Sequence, residues 1–91
     1  MNAFEQRMSE LRAQFVARLR QDRTELAAAV RDMDRAGIAT VAHRLAGGAG
    51  IYGLAELGRL AARVEDAAPD AAEDALTGLC RDLETAIDQA R

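Results

Sequence analysis

The chain has 91 residues, enough for one small domain with a single hydrophobic core but not for a core and a second lobe. Hydrophobic residues make up 49% of it and aromatic residues only 3%, with one proline and no tryptophan, a balance that favours an all-helical domain. The formal net charge of −3 at pH 7 gives no reason to expect binding to nucleic acid or to an anionic membrane surface.

The chain opens on a long amphipathic pattern. Apolar residues recur in steps of three and four from Phe4 to Met33, with one interruption at Asp22. Neither glycine nor proline occurs before Gly37, and glycine is the usual residue just beyond a helix end. The pattern predicts one helix over about residues 3–35. We expect the charged residues of its other side, including Asp22, to be solvated.

The second segment, residues 38–53, contains the only histidine and predicts a helix over about residues 38–52 that ends at Gly53. At about 100° per residue, Val41, Leu45 and Tyr52 lie on the side opposite His43. We therefore expect these residues to face the core and His43 to point away from it. The residues around His43 on its own side are all small: Ala36, Ala39, Ala46, Gly47 and Gly50.

This small-residue surface is costly to maintain. Each glycine inside a helix loses about 1 kcal/mol relative to alanine, and Gly47, Gly48 and Gly50 all fall within the predicted helix. We interpret the surface as a place where a large partner can approach His43. A side chain larger than alanine at Gly47 or Gly50 should block that approach.

Two further helices complete the pattern. Leucines and a valine at helical spacing predict a third helix over about residues 54–67, with Arg59, Arg63 and Glu65 on its outer side. Pro69 suits the first turn of a fourth helix over about residues 69–90, whose first turns carry acidic residues. Four such helices bury their apolar sides only against one another. The sequence thus predicts a single all-α domain over residues 1–91, an antiparallel up-down four-helix bundle with a long, overhanging first helix.

Several classes of protein do not fit the sequence. Cys80, the only cysteine, allows no intramolecular disulfide, offers no metal-ligand cluster with the one histidine, and lies on the apolar side of the fourth helix, where we expect it to be buried. We expect no metal site and no cofactor. A G-x-G-x-x-G pattern at residues 48–53 has no strand before it, so we reject nucleotide binding there. Neither a signal peptide nor a membrane span is apparent, which fits a cytoplasmic location.

The residues His43-Arg44-Leu45-Ala46-Gly47, followed by Gly53, resemble the H-x-[LI]-K-G-x-x-x-x-x-G signature of histidine-containing phosphotransfer (HPt) domains. This motif covers about a dozen residues, whereas the helical pattern that resembles the family spans most of the chain. One position departs from the signature, since Ala46 stands where the family usually has lysine.

The resemblance implies a fold and a function. It implies that His43, exposed on a helix of a bundle, takes a phosphoryl group from an aspartyl phosphate on a response-regulator receiver domain. His43 then passes the group to another receiver in a multistep phosphorelay. The partner receiver, possibly part of a hybrid sensor histidine kinase, would hold the Mg²⁺, and this chain would be a monomeric carrier and not an enzyme. The expected docking residues are Ala39, Arg44, Ala46, Gly47 and Gly50.

The alanine at position 46 bears on the transfer step. In the family, the lysine at this place is thought to position the phosphoryl group or neutralise its charge. We expect an altered transfer rate or phosphohistidine lifetime here, unless Arg59 or Arg63 reaches the site from the next helix.

Two other functional classes remain compatible with the sequence. A receiver-binding module without transfer chemistry would keep its affinity after His43→Ala and would form no phosphorylated species. A structural or adaptor bundle would pair its long first helix with a partner helix or a second copy and would sediment as a dimer. An ATP-dependent kinase is disfavoured because no nucleotide-binding domain fits in the length.

Overall fold

A computed structural model describes residues 2–90 of the chain. Four α-helices form an antiparallel bundle: α1 (Ala3–Arg31), α2 (Arg35–Gly48), α3 (Ala55–Ala67) and α4 (Glu73–Gln89). A short 3₁₀-helix, Ala49–Tyr52, extends α2, and no strand occurs within residues 2–90. The predicted fold class is confirmed.

Each helix packs against its neighbours in sequence, and α4 returns to contact α1. The backbones of the diagonally opposed pairs, α1 with α3 and α2 with α4, stay more than 8 Å apart between Cα atoms within the described chain. The apolar side of each helix therefore points to one shared core, as expected for a four-helix bundle. Its largest fully buried side chains are Leu26, Ile38, Leu45, Val64, Leu76, Cys80 and Leu83. The predicted burial of Cys80 is confirmed, and it raises the pKa of the thiol to about 11.

The first helix extends well beyond the others. Its 29 residues span about 43 Å at the helical rise, and the molecule measures 48 × 20 × 19 Å. The first buried side chain of α1 is Leu19, and no residue from Asn2 to Gln14 is buried. The predicted overhang is thus confirmed.

The turn between α1 and α2 differs from the sequence prediction. The first helix ends at Arg31, and Gly37 lies in the first turn of α2 instead of beyond the end of α1. The chain reverses at Met33, which has a positive φ of 47°. The Asp34 side chain then caps α2 by accepting a hydrogen bond from the Gly37 N–H at 3.0 Å. A Cβ at Gly37 would collide with this carboxylate, so the glycine serves the cap.

The start of α4 also differs from the prediction. Pro69 lies in a turn between α3 and α4, and the helix begins only at Glu73. In this turn the Ala71 N–H donates to the Ala67 carbonyl at 3.0 Å, which lets Ala68 remain fully buried. Glu73 and Asp74 occupy the first turn of α4, where their negative charge favours the positive end of the helix dipole.

Two residues on the α1 side of the bundle depart from expectation. Asp22 was predicted to be solvated, but it is 2% exposed and accepts a hydrogen bond from Arg44 Nη2 at 3.2 Å. Burial raises the pKa of Asp22, while the charges of Arg44 and Arg18 oppose that rise. Tyr52 was predicted to lie in the core, but it is half-buried at the bundle's edge, with its ring centroid 5.3 Å from that of Phe15.

The end of the histidine segment follows the prediction. Gly53 adopts the left-handed conformation, with φ 80°, and ends the 3₁₀ extension of α2. Within residues 2–90, no helix has the length and hydropathy needed to cross a membrane.

Candidate functional site

His43 lies in the middle of α2 on the side that borders α3. Its side chain is 77% exposed, as the helical periodicity predicted. Its Nδ1 atom lies 2.7 Å from Oε2 of Glu65, a residue of α3 whose side chain is 36% exposed. The histidine is therefore open to solvent on one side and held by a neighbouring helix on the other.

This contact fixes the chemistry of the two ring nitrogens. A carboxylate oxygen can only accept a hydrogen bond, so Nδ1 of His43 carries the hydrogen and donates it to Glu65. In the neutral imidazole the lone pair then lies on Nε2. Because Nε2 is the ring atom farther from Glu65, the nucleophilic nitrogen is the one directed away from the bundle.

Glu65 is a site residue that the sequence analysis missed, since it was placed on the outer side of α3. The sequence could have indicated Glu65, because α2 and α3 run antiparallel on either side of the turn at Gly53. Residues at similar separations from that turn come together: Arg35 donates to the Ala68 carbonyl at 3.1 Å, and a Cβ at Gly58 would contact Ala49. The same register pairs His43 with Glu65.

The small residues beside His43 do not share one explanation. Ala39 and Ala46 are half-buried and pack against the core. Gly47 and Gly50 are exposed, and a Cβ at either position would meet no atom within 4 Å. Gly48 differs, because a Cβ there would lie 2.9 Å from Cε2 of Phe15. Packing against α1 accounts for Gly48, but no packing contact accounts for Gly47 or Gly50.

Arg44 was predicted to belong to the docking surface, and the structure places its side chain on the side of α2 that faces α1. Its Nη2 atom bonds the carboxylates of Asp22 and Glu25, both on α1. The hydrogen bond to Glu25 raises the pKa of the Arg44 guanidinium, despite some desolvation. This side chain links α1 to α2 instead of facing His43.

Within residues 2–90, neither Arg59 nor Arg63 forms a hydrogen bond or ion pair with His43. Arg59 donates to both carboxylate oxygens of Glu56 on its own helix, at 2.9 and 2.6 Å. Among residues 2–90, no arginine forms a hydrogen bond or ion pair with His43. The described residues also contain no cluster of three or more histidine, cysteine or carboxylate groups that could hold a metal ion.

Comparison with known proteins assigns the chain to a family. A family model described as the Hpt domain matches residues 10–91, all of the chain except residues 1–9. No curated protein and no solved structure gives a significant match. Hpt domains are helical bundles that carry phosphoryl groups on histidine in two-component phosphorelays. The fold and the extent of the match agree, and the chain belongs to the Hpt domain family.

Proposed function

We propose that this chain is a cytoplasmic phosphocarrier in which Nε2 of His43 accepts a phosphoryl group from one receiver domain and passes it to another. The observation that carries the proposal is the exposed imidazole held through Nδ1 by Glu65 at 2.7 Å. That arrangement leaves a nucleophilic nitrogen accessible to a bulky phosphodonor. Membership of the Hpt family supports histidine as the carrier residue.

The transfer step is a displacement at phosphorus. The lone pair of His43 Nε2 forms the N–P bond, the P–O bond to the receiver's aspartate breaks, and its electron pair remains on the aspartate carboxylate. Nδ1 keeps its hydrogen, so the ring gains positive charge, which the Glu65 carboxylate offsets. When the group is passed on, the N–P pair returns to Nε2 and a neutral imidazole leaves.

The partner must supply most of the charge stabilisation for the phosphoryl group. Such transfer needs in-line geometry and cations near the equatorial oxygens. No arginine of the described chain contacts His43, and Ala46 adds no charge. We therefore assign the Mg²⁺ and any positioning cation to the receiver domain, which is expected to close over His43.

The proposed docking surface consists of Ala39, Ala46, Gly47 and Gly50. The two glycines support it because their backbone is exposed and no neighbouring atom requires the absence of a Cβ. The cost of Gly47 to the stability of α2, about 1 kcal/mol relative to alanine, then has a functional reason. We leave Arg44 out of this proposed surface because its guanidinium is bonded to Asp22 and Glu25 on α1.

The direct test is intact-mass analysis after incubation with a phosphorylated receiver domain and Mg²⁺ at neutral to alkaline pH. We expect wild type to gain one acid-labile phosphoryl group and His43→Gln to gain none. Circular dichroism of both proteins checks that the variant is folded. If neither protein gains the group although both bind the receiver, the chain is a docking module without transfer chemistry, and the proposal is wrong.

A further inference from the structure

The first half of α1 extends beyond the buried core of the bundle. Residues 3–14, here called the α1 overhang, include no buried residue, and Phe4 is 74% exposed. The helix nevertheless begins in a defined way, because Asn2 Oδ1 accepts a hydrogen bond from the Glu5 N–H at 2.8 Å. The overhang continues a helix that is already formed in the bundle and needs no separate nucleation, but its Phe4 side chain stays in water.

Apolar side chains of α1 form a short coiled-coil repeat. Phe4, Met8, Leu11 and Phe15, here called the α1 stripe, are separated by four, three and four residues, the d-a-d-a spacing of a heptad. The base of the stripe is anchored to the bundle: Phe15 packs against Tyr52, and Arg12 Nε donates to the Tyr52 carbonyl at 3.1 Å. The overhang is therefore a rigid continuation of the bundle that displays a coiled-coil seam.

We propose that the α1 stripe is a homodimer interface in which the overhangs of two copies pack antiparallel. In the matching register, Phe4 faces Phe15 of the second copy, and Met8 faces Leu11 of the second copy. Burying the exposed parts of these side chains on both copies removes apolar surface from water, which favours association. The two-fold axis passes between the central Met8 and Leu11 layers.

The charges that flank the stripe select this orientation. With Phe4 and Leu11 at d positions, Glu5 and Arg12 occupy the e positions that follow them. In an antiparallel pair the e positions of the two helices are neighbours, so Glu5 lies beside Arg12 of the second copy, twice by symmetry. In a parallel pair the g and e positions adjoin, which places Arg7 beside Arg12 of the second copy and creates repulsion. Arg12 can form such a pair, because its bond to the Tyr52 carbonyl uses Nε and a guanidinium has further N–H donors on both Nη atoms.

The dimer leaves the histidine site accessible. Arg44 and Gly48 lie on the side of α2 that contacts α1. His43 lies on a different side of α2, where it contacts α3. Residues 1–9 also lie outside the match to the family model. His43 thus lies outside the proposed interface, and the two proposals have separate tests, sedimentation for the interface and phosphoryl transfer for the histidine.

The first experiment measures the dimer by sedimentation equilibrium over a range of protein concentrations. We expect wild type to be dimeric, and Met8→Glu to raise the dissociation constant at least about tenfold, because each copy would bury an unpaired carboxylate. Gln6→Glu adds the same charge on the opposite, exposed side of the overhang and should leave the dimer intact. A monomeric wild type, or equal dimerisation of the two variants, would overturn the proposal.

A second experiment tests the orientation by disulfide crosslinking, for which Cys80 gives little background because it is buried. Phe4→Cys alone should not crosslink, since the two copies of residue 4 lie at opposite ends of an antiparallel pair. Mixed with Phe15→Cys, it should form a heterodimeric crosslink, because those positions face each other within disulfide range. Self-crosslinking of Phe4→Cys would show a parallel pair and contradict the proposal.

Discussion

One hydrogen bond at His43 decides which ring nitrogen can react. Nδ1 of His43 lies 2.7 Å from Glu65 Oε2, and a hydrogen bond to a charged acceptor is about twice as strong as a neutral one. It holds the ring in one tautomer and also fixes its orientation on an exposed helix side. Glu65 therefore acts on the transfer step through His43 and is a positioning residue.

We expect Glu65→Ala to slow the phosphorylation of His43 by about tenfold or more, the kinetic equivalent of losing one charge-assisted hydrogen bond. Glu65→Gln should lie between this variant and wild type, since an amide oxygen still accepts the bond but carries no charge. Quenched-flow kinetics with a phosphorylated receiver measures the rates. Two-dimensional ¹H–¹⁵N spectra of the ring should show mixed tautomers in Glu65→Ala.

Glu56→Gln is the matched control, because Glu56 lies on the same helix and bonds Arg59 instead of His43. It should transfer at the wild-type rate. A wild-type rate in Glu65→Ala would show that the tautomer does not limit transfer and would remove Glu65 from the mechanism.

Within α2, neighbouring glycines serve different purposes. A Cβ at Gly47 would meet no atom within 4 Å, whereas one at Gly48 would lie 2.9 Å from Phe15 Cε2. The helix therefore has spare room at one position and a close approach of α1 at the next. Composition alone cannot separate these cases, because the difference lies in which neighbour each residue faces.

This difference predicts opposite effects of one substitution. Gly47→Ala should raise the free energy of unfolding by about 0.5–1 kcal/mol, since alanine is the better helix former and nothing obstructs it. Gly48→Ala should gain less or lose stability, because the Phe15 ring must move to admit the methyl group. Urea unfolding followed by circular dichroism measures both. A larger gain at Gly48 than at Gly47 would contradict the assignment.

The contact between α1 and α2 includes a buried carboxylate, which makes stability depend on pH. Burial raises the pKa of Asp22, so the folded protein holds this proton to a higher pH than the unfolded chain does. The stability of wild type relative to Asp22→Asn should therefore be greatest below the pKa of an unfolded aspartate, about 4, and should fall as the pH rises through the raised pKa of the folded protein. Urea unfolding of both proteins at several pH values measures the difference, and a difference that grows with pH would contradict the burial effect.

Helix existence was predictable from the sequence, but two helix boundaries were not. Apolar periodicity located all four helices, because each must bury one side against the others. Gly37 was taken as the residue that ends the first helix. In the structure its N–H donates to the Asp34 side chain, which caps the start of the second helix. Pro69 was taken as the start of the fourth helix, but it lies in a turn in which the Ala71 N–H donates to the Ala67 carbonyl. These boundaries depend on tertiary contacts that a periodicity does not contain.

At the scale of the whole bundle, exposure could be predicted, but contacts between helices could not. The periodicity of α2 placed His43 on the outside, and the structure agrees. The same reasoning treated Glu65, Arg44 and Asp22 as surface charges, although one holds His43 and the other two join α1 to α2. Which charges meet is determined by the register between helices, and that register is set by the packing of the entire core.

The surface offered to a receiver is likewise a property of the assembled bundle, and Gly50 provides its sharpest test. Gly50 is exposed, and a leucine side chain there would project into solvent, because a Cβ meets no atom within 4 Å. We expect Gly50→Leu to fold but to weaken receiver binding and phosphoryl transfer by at least about tenfold, since the added side chain keeps the receiver from closing over His43.

Gly78 supplies the matched control for this substitution. It is also exposed and has open space around its Cβ position, but it lies on α4, diagonally across the bundle from α2. Gly78→Leu should therefore reproduce any change in helix propensity or surface hydrophobicity while leaving binding and transfer at wild-type levels. Isothermal titration calorimetry and transfer kinetics compare the two variants. Equal binding and transfer by both would mean that the receiver does not dock beside Gly50, whatever the role of His43.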